Sequence, residues 1–148
     1  MTPTRILPDL QCSLLCEEVR QEANGNVFLL GILDVVRVPQ VPVTANKLAV
    51  FNRWTAGIGT FTEQIRLVAP DQTTVISKSE VKFQMTNPSV NATTVTYFGN
   101  VQFNAAGPYF VEVLVDDVMK LRYPVNIIVV PMAGGPQGQG QPTQATPQ

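Results

Sequence analysis

The chain carries two cysteines, eleven carboxylates and no histidine. Without histidine there is no Ser-His-Asp or Cys-His machinery, no imidazole general base and no imidazole metal ligand. The candidates for chemistry are therefore few. Cys12 and Cys16 share the window CSLLC. On a strand, four residues span about 13 Å, beyond the ~7 Å within which two Cα atoms can be bridged by a disulfide. A structural zinc site wants four Cys or His ligands, which the chain does not possess, and no metal is expected. The competing reading is that Leu10, Cys12, Leu14 and Cys16 form one apolar stripe facing the core, since a free thiol behaves as a small hydrophobe.

Among the carboxylates, Asp34 and Glu63 lie within apolar segments and could form the acid-base pair of a hydrolase if they converged in a pocket. Against this, each could face solvent or pair with Arg37, Arg53 or Arg66. Asp116-Asp117 is too short a run of oxygen ligands for calcium and suits a hairpin turn. The glycines of GIG and GGPQGQG lack both the strand-to-helix setting and the lysine of a phosphate loop. Trp54, Phe51 and Tyr97 could make an exposed aromatic platform for a small ligand or a sugar, although aromatic residues more often build a core.

These residues are positioned by a pattern of strands. Apolar residues alternate with period two, and turn residues recur at short intervals, as in an all-β domain. Strands are expected at 10–21, 27–38, 47–54, 60–69, 75–85, 93–103, 109–115 and 118–130. Asn24-Gly25 is a hairpin signal between the first two. The run VFLLGILDVVRV reads as one strand covered on both faces or lying centrally in a sandwich, with Gly31 marking a bulge or a close backbone approach. Pro39 and Pro42 end pairing after it. Leu48, Val50 and Trp54 should share one face, with Lys47, Phe51 and Arg53 on the other. Val95, Tyr97, Val101 and Phe103 should likewise share a face. The expected architecture is a single-domain antiparallel β-sandwich of about eight strands over residues 1–130, with a closed barrel as the alternative. A disordered Gly/Pro/Gln-rich tail is expected over 131–148.

The chain has 148 residues, a net charge of -1 and only 14% charged residues, against about 25% in typical soluble domains. So little charge favours self-association, and the dispersed basic residues give no footprint for nucleic acid. No apolar run approaches the ~20 residues of a membrane helix, and Pro3, Pro8 and Asp9 interrupt any secretory leader. A cytoplasmic protein with reduced thiols is the expectation.

The segment Gly107-Pro108-Tyr109 resembles the G-x-Y corner of immunoglobulin-like sandwiches, with Val111 where antibody-type domains place a disulfide cysteine. More broadly, LLCEEV, NGN, FLLGILDVV, VPQVPV, FTEQIRLVAPDQ and FNAAGPYFVEVLVDD resemble a family of small uncharacterised bacterial proteins predicted to be β-sandwiches. That resemblance implies a fold and brings no activity, cofactor or functional residue with it. The function expected is a non-enzymatic interaction or assembly module, a homo-oligomer or the docking partner of another protein, without cofactor, nucleic acid or membrane. A ligand- or glycan-binding module using the three aromatics is the second expectation.

Overall fold

A computed structural model describes residues 5–131. The expected tail falls almost wholly outside them. Nine strands alternate with short turns: β1 Asp9–Gln21, β2 Val27–Ile32, β3 Val35–Val38, β4 Val43–Thr55, β5 Gly59–Val68, β6 Val75–Met85, β7 Ala92–Phe103, β8 Gly107–Val115 and β9 Val118–Val129. They form two sheets, ordered β2-β1-β4-β7 and β3-β9-β8-β5-β6.

The single expected strand over 27–38 is two strands in two sheets. At Leu33-Asp34 the chain bends, β2 stays with β1, and β3 crosses to pair in parallel with β9 from Val35↔Asn126 to Val38↔Val129. The five-stranded sheet is therefore mixed, which corrects the all-antiparallel expectation. Neither half is central: β2 and β3 are both edge strands. A largely apolar run thus serves two edges, and the bend at Asp34 separates them.

Between the sheets lies the core. Val50, Trp54, Phe61, Ile65, Leu67, Val111, Val113, Val125 and Ile127 are all buried there. Trp54 stacks on Phe83 at 5.5 Å between ring centroids, and Phe103 meets Tyr109 edge-on at 4.9 Å. Such aromatic pairs add specific geometry to the area they bury. Tyr109 also fixes its own corner: its hydroxyl donates to the Ala105 carbonyl at 2.8 Å and accepts from the Ala105 amide at 3.3 Å. Asp116 and Asp117, both at positive φ (47° and 68°), form the tight β8–β9 turn that their sequence suggested. Asp116 also accepts from the Thr62 amide at 2.8 Å, fastening that turn to β5. On β9, Tyr123 lies against Ser13 of β1 with 3.0 Å between hydroxyl oxygens, and burial pushes its pKa up to about 12.

Two departures from strict alternation reassign side chains between faces. In β1 a bulge shifts the register between Leu10↔Trp54 and Cys12↔Arg53. Leu10 packs against the core while Cys12, Leu14 and Cys16 share the outer face with Arg53, Phe51 and Ala49, their neighbours on β4. The four-residue stripe expected to face the core is therefore split, because one extra residue inverts every later side chain. In β7, Val95 and Tyr97 face outward whereas Val101 and Phe103 are buried. Asn100, at φ 52°, lies between them and turns the pleat over.

Candidate functional site

The outer face of the four-stranded sheet is partly covered: Ala49 and Phe51 are buried on it, while Val95 and Tyr97 remain exposed. Its β1–β2 hairpin folds back over β4 and β7. Gly31, at φ +67°, lies opposite Glu17 at the bend, and a Cβ there would fall 2.5 Å from Glu17 Oε1. The close approach expected of Gly31 is thus with the side chain of its own hairpin partner. Beyond the bend, the Tyr97 hydroxyl donates to the Val19 carbonyl at 2.9 Å and accepts from the Val19 amide at 3.3 Å, holding the hairpin down. Glu18 joins the clamp, accepting from Arg20 at 2.6 Å and Lys47 at 3.3 Å. Hydrogen bonding to Arg20, then to Lys47, lowers its pKa.

Beneath the hairpin two clefts meet at Arg53. One, of about 410 Å³, is lined by Val19, Arg20, Val27, Arg53, Thr93 and Tyr97, together with Gln21, Gly25 and Val95. The other, of about 530 Å³, runs from Glu22 and Phe28 to Phe51 and Arg53. Arg53 lies over the Phe51 ring at 5.4 Å and donates from Nε to Thr93 Oγ1 at 3.2 Å.

This geometry sorts the three aromatic candidates. Trp54 has 0% of its surface exposed and points into the core, so the three-residue platform does not form. Phe51 and Tyr97 do lie on one outward face of β4 and β7, but Phe51 is buried under the hairpin, whereas Tyr97 is 47% exposed with its hydroxyl engaged as the latch. The residues that sequence reasoning missed are Arg53, Thr93 and the hairpin valines. Arg53 was visible on the Phe51 face; the hairpin that encloses it was not.

Asp34 and Glu63 do not converge. Asp34 is exposed in the bend before β3, and β9 and β8 separate that edge from β5, about 14 Å in strand spacings. Glu63 pairs with no arginine. Only 1% exposed, its Oε2 accepts from Asn52 Nδ2 at 2.9 Å, Trp54 Nε1 at 2.7 Å and Thr94 Oγ1 at 2.6 Å. Asn52 and Thr94 are neighbours across β4 and β7. One carboxyl oxygen from β5 thus joins three donors of the facing sheet, a bolt across the core with no access for a substrate. Its Oε1 and the Asn52 Oδ1 are buried without a hydrogen-bond partner among the described residues.

The thiols are free. Cys16 is fully buried where the hairpin bends over the sheet, and its Sγ lies 3.6 Å from the Glu18 carbonyl. Burial pushes its pKa up, against the smaller effect of that hydrogen bond. Since the thiolate is the reactive species, iodoacetamide at neutral pH should leave Cys16 unmodified in the native protein and alkylate it fully in denaturant. Cys12 is half-buried and should react first. Peptide mass mapping after timed quenching checks this; native modification of Cys16 at the denatured rate would contradict the burial. Among the described residues no group of three or more His, Cys, Asp or Glu side chains could hold a metal. No helix among them is long and apolar enough to cross a membrane.

The molecule is an all-β protein of two facing sheets, with a hairpin folded over one outer face. Residues 11–128 match the model of a family of unknown function (DUF6941), and the chain belongs to that family. No curated protein matches it.

Proposed function

We propose that this is a non-enzymatic assembly module that associates with a second copy of itself through the free edge of β2. The observation that carries the reading is the chemistry of that edge. VFLLGI contains no charged residue, and Phe28, Leu30 and Ile32 stand exposed at alternate positions (51%, 40% and 56%). Edge strands are ordinarily protected by charge. Both edges of the five-stranded sheet follow that rule, with Arg37 on β3 and Lys78, Glu80 and Lys82 on β6. β7 is also uncharged, but it lies beside β6. β2 alone is both uncharged and uncovered among the described edges. An apolar edge with no charge suits its own two-fold copy, in antiparallel register, better than a charged partner. The net charge of -1 supplies little repulsion to keep copies apart.

Light scattering across a size-exclusion peak, from low to high micromolar, should show a concentration-dependent dimer. Leu30→Lys places two like charges across the pairing and should weaken it about 100-fold. Val81→Lys, on the charged β6 edge, should leave it unchanged. A wild-type monomer at high micromolar concentration, or equal dimerisation by both variants, overturns the proposal.

The Tyr109 hydroxyl bonding back to Ala105 supports reading the fold as immunoglobulin-like, as such corners brace those sandwiches. Two free thiols suit a reducing compartment such as the cytoplasm.

A further inference from the structure

We infer that the cleft beneath the β1–β2 hairpin is a binding site for a small organic carboxylate, held by Arg53. The cleft that carries this contains Arg20 and Arg53 and no acidic side chain, in a chain of net charge -1. Its walls are apolar at Val19, Val27 and Val95, and aromatic at Tyr97. A cationic end with an apolar body is complementary to an organic anion with a compact hydrophobic group.

Arg53 is the residue that singles out the anion. Most other arginines here are already committed. Arg5 pairs with Asp116, Arg20 with Glu18, and Arg66 and Arg122 flank Glu112 at 3.1 and 3.6 Å. Arg37 and Arg53 have no salt-bridge partner among the described residues; Arg37 is exposed, whereas Arg53 is half-buried under the hairpin. The hydrogen bond to Thr93 uses Nε, and the guanidinium carbon lies over the Phe51 ring, 5.4 Å from its centroid. Held in this way, the guanidinium loses little freedom on meeting a planar acceptor, and its remaining N–H groups can engage a carboxylate. The neighbouring cleft, on the Phe51 side, holds Glu22 and is less suited to an anion. The site is therefore assigned to the Thr93–Tyr97 side, with the carboxylate at Arg53 and the apolar group between Val27 and Val95.

Benzoate is a suitable probe and benzamide its uncharged match. In amide-correlation NMR of the full chain, benzoate should produce saturable shifts at Val19, Val27, Thr93 and Val95 and at the Arg53 Nε signal, with a Kd on the order of 1 mM, ordinary for a fragment of this size. Benzamide should bind about tenfold more weakly or not at all. Arg53→Gln should weaken benzoate about tenfold or more while leaving the spectrum dispersed, and Arg53→Lys should fall between. Because the two probes are compared in the unaltered protein, the result does not depend on any variant folding. Equal binding of benzoate and benzamide overturns the assignment, as do shifts confined to the Arg66–Arg122 face. Binding of phenyl phosphate without benzoate overturns the carboxylate class. Leu30→Lys, which lies outside this cleft, should leave benzoate binding unchanged, so the site stands or falls apart from the dimer.

Discussion

Replacing Glu63 with alanine is expected to cost about 3–5 kcal/mol of folding stability, read as a lower midpoint in urea at unchanged slope. The reason is the number of groups left behind. Asn52 Nδ2, Trp54 Nε1 and Thr94 Oγ1 all donate to one oxygen of this side chain, inside a core that offers no replacement acceptor of equal quality. A buried donor without a partner costs about 1–3 kcal/mol, and a cavity adds to it. Glu63→Gln should behave differently. Its amide oxygen can keep all three donors, while its NH₂ supplies a donor where Oε1 and Asn52 Oδ1 now find none. This variant is expected within about 1 kcal/mol of wild type. Equal loss in both variants would show that the three hydrogen bonds do not set the stability of this core.

The second large effect is expected at Trp54. Trp54→Ala should cost about 3–5 kcal/mol, since it removes a fully buried ring that stacks on Phe83 and one of the three donors to Glu63. Trp54→Phe keeps most of the apolar surface and loses the N–H, so about 1–3 kcal/mol is expected. In combination with Glu63→Ala the Trp54→Phe loss should shrink, because the hydrogen bond it removes is already gone. Urea unfolding of the two single variants and the double variant measures this coupling. Strict additivity would place the value of Trp54 in its ring alone.

Alternation placed Leu48, Val50 and Trp54 on one face of β4, as found, and on β5 the buried Phe61, Glu63, Ile65 and Leu67 follow the same period of two. It could not show that a carboxylate on a core face is satisfied by neutral donors, because Asn52, Trp54 and Thr94 come from the opposite sheet. Nor could it show that VFLLGI lies at a sheet edge: the segment has the composition of a central strand, and its edge position follows from the bend at Asp34.

The amino-acid sequence by itself determined the all-β class, most strand positions and the Asn24-Gly25 and Asp116-Asp117 turns, because period-two alternation and turn chemistry are local properties. It also determined what chemistry is absent with histidine. Tertiary structure decided which side of each strand meets what. The β1 bulge turned Cys12 and Cys16 of CSLLC away from the core, and Asn100 turned Tyr97 outward. The hairpin that covers Phe51 and lines the clefts at Arg53 carries Gly31 at positive φ beside Glu17. The β1 bulge and the turn of the pleat at Asn100 are each a change of one residue or one dihedral, nearly invisible in composition, yet each moves the side chains beyond it to the other face of the sheet.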